Sequence, residues 1–517
     1  MTPWNTTALA AVLWTALGTA GLAQTTGGTL DCGALADLDL GPSAAITSAS
    51  LVEDVEIATG TNVMGAGLFE GSGTHHDPFC RVVVSSQPAR TSDALVEVWL
   101  PLETWNGRLL GVGNGGYPTS IDYRGMSGGL VRDYAVVSTD MGLASQIPEG
   151  TGDATAIFLN NPIAAVDFAS RSTHEMTWIA KDIVQAFYGK AHEYAYFAGC
   201  STGGMQGYAE AQRYPDDYQG ILAGASGGNR ARAHLALLWN WGTVWGKPDH
   251  ALDQGQLELL HESAVSACSA EGATVSGSLL SAPQECDWSP SDLLCEEGET
   301  QACLSAEQLE TVEKLYAGPT NPRTGEQYFP GLLPGSELGW PNIMGIAGAP
   351  GIPYTGIFSP VVGEEFDFTR FDWDRDAQTF IDVVGPLIDS RDPDISDFVS
   401  SGGKLLMYHG QADWLASAVD AIDYRAAVLS AAANWNADLR DQAEQSVALY
   451  LLPGMSHCAG GIGPDTFDGL ATLREWRETG TMPAGMDVLS RDASSSYVAC
   501  PYPAVAVDSG ETCAAPQ

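Results

Sequence analysis

A chain of 517 residues is too long for one simple core and fits an enzyme body carrying a large insertion or a second domain. Its 64 Asp and Glu against 23 Lys and Arg leave a formal net charge of −41, which repels nucleic acid and anionic lipid and excludes both as partners. The rest of the composition is that of a folded globular protein, and the acid excess speaks to solubility, or to life in salty water, rather than to fold.

In chain order, the first segment is Thr7 to Ala23, apolar, uncharged and ending with Gly21 and Ala23 at the small-residue positions of a cleavage site. No Lys or Arg precedes it, yet it reads as a secretory signal over residues 1–23 rather than as a membrane span, for which it is short. A secreted or periplasmic location is the expectation. Ten cysteines in an exported chain point to structural disulfides, and the absence of any C-x-x-C pair argues against a zinc ribbon or a thioredoxin-like site.

From Leu51 to Leu110 the residues alternate as in strands, with Ala94 to Leu100 one of them and Arg108 to Val112 another. The second runs into Gly113-Asn114-Gly115-Gly116, a flexible turn whose backbone N–H groups can face a ligand. Tyr134 to Ser138 reads as a buried strand, and Asp167 to Tyr188 has the apolar spacing of a helix. A strand at Tyr194 to Ala198, a tight glycine turn, a helix from Met205 to Arg213 and a strand at Ile221 to Gly224 follow. The alternation implies a mostly parallel sheet covered on both faces. It breaks between Gly227 and Asp397, a stretch with four cysteines, many Gly and Pro, and tryptophans at 239, 241 and 245. It resumes at Lys404 to Tyr408 and at Ala448 to Leu452, before a helix over Phe467 to Glu478. The expected organisation is an α/β core over residues 24–227 and 398–517, split by a lid over residues 228–397.

The sharpest motif is Gly199-Cys200-Ser201-Thr202-Gly203, a G-x-S-x-G sequence with a strand before it and a helix after it. The glycines permit a sharp turn that lifts the Ser201 hydroxyl to the sheet edge, and the helix start offers N–H donors and a positive dipole end for an oxyanion. A serine needs a base, and the base an orienting acid. In α/β-hydrolases these follow in the order Ser, acid, His, each after a strand. Asp413 lies past the strand ending at His409-Gly410, and His457 past the one ending at Pro453-Gly454. Cys200 precedes the nucleophile and Cys458 follows the base; a disulfide between them would hold their Cα atoms within about 4.4–6.8 Å and bring serine and histidine together. Spacing alone leaves the connectivity open.

With these residues the sequence resembles the tannase and feruloyl esterase family, which also contains mono(2-hydroxyethyl) terephthalate hydrolase. The resemblance rests on Gly199 to Gly204, on Tyr214-Pro215-Asp216-Asp217-Tyr218 followed by Gly220-Ile221, on His409-Gly410 with Asp413, and on Gly454-Met455-Ser456-His457-Cys458. It covers nearly the whole chain after the signal. It implies the α/β-hydrolase fold with a large inserted lid, the triad Ser201, Asp413 and His457, and the bridge Cys200–Cys458. It also implies the pairs Cys32–Cys80, Cys268–Cys286, Cys295–Cys303 and Cys500–Cys513. The Thr202 N–H and the turn bearing Gly115 and Gly116 would form the oxyanion hole.

Two departures follow. Family lids carry a calcium loop of aspartates after a lid cysteine, whereas Ser269 to Gly277 after Cys268 holds one carboxylate; no calcium and no other cofactor is expected. The terephthalate monoester hydrolase grips its substrate with a lid arginine, and this lid has none between Arg323 and Arg370. His409 either lines the pocket near Asp413 or packs locally. Of Trp239, Trp241, Trp245, Trp340 and Trp414, one or two are expected at the pocket. Asp372, Asp374 and Asp376 read as a solvated face. The expected activity is hydrolysis of small-molecule esters of aromatic acids through an acyl-serine. The alternatives are a terephthalate-type monoester hydrolase, an acyltransferase, or a binding protein on the same scaffold.

Overall fold

The computed structural model describes residues 31–53, 57–59, 73–75, 77–118, 120–144, 161–270, 274–276, 279–299, 301–344, 355–363, 367–435, 437–507 and 510–514. The expected signal segment lies outside these residues.

Nine strands form one sheet: β1 (Ala44–Val52), β2 (Phe79–Ser86), β3 (Ala94–Pro101), β4 (Arg108–Val112), β5 (Ala135–Thr139), β6 (Tyr194–Cys200), β7 (Gly220–Gly224), β8 (Lys404–Gly410) and β9 (Val447–Leu452). Their order is β1-β2-β3-β5-β4-β6-β7-β8-β9. The first three strands and the β3–β5 contact are antiparallel; from β5 onward all pairs are parallel. Strand residues alternate between two hydrophobic cores, as a period of two requires. Leu109, Phe197, Ile221, Leu405 and Leu449 face one core, with Ile179 and Ile183 of helix α2 (Ser172–Tyr188). Their neighbours Leu110, Tyr196, Leu222, Leu406 and Ala448 face the other, with Met126 of α1 (Tyr123–Leu130) and Trp476 of a C-terminal helix over Gly469–Thr479. The sheet is thus covered on both faces, as the sequence led us to expect.

Register decides where the chemistry sits. Cys200 of β6 pairs with Gly224 of β7, Gly224 with Tyr408 of β8, and Gly410 of β8 with Leu452 of β9. The carboxyl ends of four parallel strands therefore line one edge, and the loops leaving them carry Ser201, Arg230, Asp413 and His457.

Two boundaries differ from expectation. The helix expected from Asp167 opens with a π-helical turn over Asp167–Arg171 before α2 begins. Helix α3 (Thr202–Arg213) starts three residues before Met205, because the turn at Ser201 feeds straight into it. The Tyr214 to Tyr218 motif is a brace: Asp217 meets His174 Nδ1 of α2 at 2.6 Å. Between β7 and β8 the described residues add no strand to the large sheet and build two further apolar clusters. One joins α4 (Arg230–Val244) and α7 (Asp376–Ile388). The other joins α5 (Gln254–Ala270) and α6 (Ala306–Ala317) around Trp340.

All ten cysteines are paired, as Cys32–Cys80, Cys200–Cys458, Cys268–Cys286, Cys295–Cys303 and Cys500–Cys513. No described helix is long and apolar enough to cross a membrane.

Candidate active site

Ser201 stands between β6 and α3 with φ 61° and ψ −113°, a left-handed conformation that a non-glycine residue adopts only when its surroundings compel it. The compulsion is visible. The Ser201 N–H donates to Gly224 O at 2.9 Å, and its carbonyl accepts from Met205 and Gly227 at 3.1 and 3.0 Å. Gly199 and Gly203 lie so close that a Cβ on Gly199 would sit 2.6 Å from the Gly203 Cα, so position 199 tolerates no side chain, while one at 203 would press on Asn114 O at 3.1 Å. Although Ser201 occupies the N-cap position of α3, its hydroxyl makes no capping bond, which leaves Oγ available.

Asp413 and His457 come from adjacent loops. Asp413 Oδ2 meets His457 Nδ1 at 2.8 Å, and Asp413 Oδ1 accepts from the Leu415 and Ala416 N–H groups at 2.8 and 3.1 Å. His457 Nε2 is buried and has no hydrogen-bond partner among the described residues. The two loops lie against each other, with the Ala412 N–H donating to Met455 O at 2.9 Å. Only glycine fits at 410, where a Cβ would lie 2.3 Å from the same carbonyl. The Cys200–Cys458 bridge joins the strand before Ser201 to the loop bearing His457, with Cα atoms 5.9 Å apart.

His409 resolves into neither simple alternative. Its Nε2 lies 3.1 Å from both Asp413 Oδ2 and Ala416 O. Two acceptors facing one ring nitrogen require a proton on it, so His409 is a second imidazole donor to the Asp413 carboxylate. Burial alone would raise the Asp413 carboxyl. The adjoining His457 and the hydrogen bonds from His409 and His457 outweigh it and hold Asp413 below the usual carboxylate range.

On the opposite side, the 113–117 turn reaches the start of α3. Gly203 N–H donates to Asn114 O at 2.6 Å, Gln206 Oε1 accepts from Asn114 N–H at 2.8 Å, and Thr202 Oγ1 donates to Gly116 O at 2.6 Å. The N–H groups of Thr202, Gly115 and Gly116 donate to no acceptor among the described residues.

The family model for tannase and feruloyl esterase matches residues 80–344 and 352–515. An uncharacterized esterase of Xanthomonas campestris is 31% identical over 475 residues, covering 83% of this chain and 80% of its own. Feruloyl esterase B of Aspergillus niger is 28% identical over 481 residues, 86% of this chain and 88% of its own. The chain belongs to the tannase and feruloyl esterase family. The crystal structure of an esterase from Aspergillus oryzae superposes with a TM-score of 0.79 at 25% identity, covering 93% of this chain and 99% of that one. The fold is therefore that of the family, and this tannase-family protein is a carboxylic ester hydrolase acting on esters of aromatic acids.

Other sequence candidates of this esterase fall as follows. Trp414 is half-buried with its ring centroid 6.3 Å from that of His457, whereas Trp340 is fully buried in the insert. Trp241 stacks on Trp245, and Trp239 packs against Trp373. The aspartates at 372–376 are not a uniform solvated face: Asp374 pairs with Arg323 at 2.8 Å, and the buried Asp376 with Arg375 at 2.6 Å. The run after Cys268 falls partly outside the described residues. Sequence reasoning missed Gln206 and Arg230. Arg230 and His234, four residues apart on the helix that follows the interior strand β7, were the available signal.

Proposed function

We propose that Ser201, His457 and Asp413 act as the catalytic triad of this esterase, with the N–H groups of Thr202 and of Gly115 or Gly116 as its oxyanion hole. The observation that carries this reading is the unpartnered, buried Nε2 of His457. Its other ring nitrogen is held by Asp413, and its loop is bridged to the strand that presents a strained, uncapped Ser201. His457 Nε2 takes the Ser201 Oγ proton as Oγ attacks the ester carbonyl. The tetrahedral oxyanion collapses with departure of the alcohol, which receives that proton. Water, deprotonated by the same nitrogen, then releases the acid and regenerates Ser201. The Asp413 carboxylate holds the imidazole tautomer and stabilises the transient imidazolium.

The acyl group in this reading is a planar aromatic acid of the hydroxycinnamate, gallate or terephthalate kind, with Trp414 beside the base and the 228–397 insert as a lid setting the choice. Five disulfides fit a protein exported to an oxidising compartment. N-terminal sequencing of the mature protein should find it beginning after Ala23. Methyl ferulate, methyl gallate, mono(2-hydroxyethyl) terephthalate and a short p-nitrophenyl ester, assayed with the native protein and Ser201→Ala, test the chemistry. Loss of every activity in Ser201→Ala is expected, and activity that survives it overturns the triad.

A further inference from the structure

Arg230 opens the helix that leaves β7 and is only 6% exposed. Its Nη1 donates to Thr202 Oγ1 at 2.8 Å and its Nη2 to Gly116 O at 3.0 Å. Since Thr202 Oγ1 itself donates to Gly116 O, one guanidinium closes a three-way junction between the 113–117 turn and the residue after Ser201. Its Nε–H points to the Tyr117 hydroxyl at 3.4 Å, and its carbon lies 4.5 Å from the centre of the Tyr117 ring. The Phe168 ring, from the π-helical turn, stacks on Tyr117 at 5.0 Å and lies 5.4 Å from the same carbon.

Proton directions in this cluster are consistent. His234 Nδ1 lies 2.8 Å from the Arg230 carbonyl and must carry a hydrogen. That leaves Nε2 as an acceptor for the Tyr117 hydroxyl, 3.1 Å away. Burial, then the Arg230 charge, depress His234 to about 3, so it stays neutral and the arrangement does not change with pH in the working range. No carboxylate pairs with the Arg230 side chain among the described residues. A buried cation bonded only to a carbonyl and hydroxyls keeps its field for other groups.

We propose that Arg230 is a positioning residue for ester hydrolysis, clamping the 113–117 turn onto the nucleophile elbow so that the N–H groups of both segments face the oxyanion with a buried positive charge behind them. This rests on the assignment of Ser201 and of the oxyanion donors made above. Preorganised donors and charge act on the tetrahedral species and far less on the planar ester or acid.

The test measures hydrolysis of methyl ferulate by the native enzyme, Arg230→Met and Arg230→Lys. Alongside it, inhibition is measured with phenylboronic acid, which forms a tetrahedral adduct on an activated serine, and with ferulate, a planar product. For Arg230→Met a kcat about 100-fold lower is expected, with KM moved by less than about threefold, and phenylboronic acid weakened in step with kcat while ferulate holds. Arg230→Lys keeps the charge but not the planar fork, and should lose about tenfold in kcat. Native kcat in Arg230→Lys, or equal weakening of boronate and ferulate in Arg230→Met, overturns the proposal. If melting curves show that Arg230→Met does not fold, the lysine variant decides alone. Ser201→Ala separates this from the underlying reading: hydrolysis that persists there refutes the nucleophile, whatever the Arg230 variants do.

Discussion

The two flanks of Ser201 are built from opposite charge. On one flank the Asp413 carboxylate is surrounded by two imidazoles and two peptide N–H groups, with no lysine or arginine bonded to it among the described residues. On the other the Arg230 guanidinium is surrounded by a carbonyl, two hydroxyls and two aromatic rings, with no carboxylate bonded to it among the described residues. Neither ion is neutralised by a partner of its own. In acyl transfer a proton moves toward the histidine while negative charge builds on the carbonyl oxygen. In the proposed mechanism, an anion behind His457 and a cation behind the oxyanion donors match that separation before substrate arrives. Direct pairing of the two would have made a sound salt bridge and a poor catalyst.

Breaking the anionic flank should have the largest effect. Asp413→Asn keeps the shape but loses the charge and the tautomer control, and kcat should fall by about 10⁴-fold with the fold intact by circular dichroism. Next comes the tie between the flanks. Cys200→Ser with Cys458→Ser frees the base loop from the nucleophile strand. A loss of about 3–5 kcal/mol in unfolding free energy is expected by denaturant titration, with kcat down about 100-fold. Unchanged kcat would mean that loop packing around Gly410 suffices to hold His457.

Smaller effects sharpen the picture. His409→Phe removes one N–H donor from Asp413 while keeping a buried ring, and should lower kcat about tenfold with little change in KM. The smallest concerns Asp389, which accepts the Ala231 N–H at 2.9 Å beside Arg230 without touching its guanidinium. Burial, against those backbone bonds and nearby arginines, raises its carboxyl from 3.8 to about 6. Below pH about 4 folded and unfolded chains are both protonated there. Between about 4 and 6 the unfolded chain ionises first, so stability falls as pH rises, and above 6 the penalty is constant. Asp389→Asn should therefore leave the melting temperature unchanged near pH 3.5 and stabilise at pH 7 by up to about 2–3 kcal/mol.

What could be read from sequence was local. Ser201, Asp413 and His457 each follow a strand whose apolar run is plain, and the register of β6 to β9 then aligns those ends without further information. Cys200 and Cys458 stood out because each adjoins one of those residues. Arg230 and the role of His409 were not legible, since both depend on which atoms the folded loops bring within 3 Å, and neither spacing nor composition encodes that. The π-helical turn at 167–171 was hidden for a similar reason: its apolar spacing is helical, and nothing in the spacing marks the change of winding that carries Phe168, stacked on Tyr117. Of the five tryptophans, one or two were expected at the pocket; Trp340 fills an apolar cluster of the insert, and the buried Trp241 stacks on Trp245.

Four of the five disulfides join cysteines that are consecutive in the chain, and Cys200–Cys458 alone skips over four others. As the polypeptide emerges from its amino end, Cys200 is exposed long before Cys458, and Cys268 is the first partner offered to it. Pairing in order of appearance would strand the nucleophile strand on the insert and leave the later cysteines out of step. A maturing chain must therefore keep Cys200 unpaired until Cys458 has emerged, or have a wrong bond exchanged by a thiol catalyst. Until then, under the proposed triad, Ser201 has been made and His457 has not, so activity is expected only once the end of the chain has been synthesised.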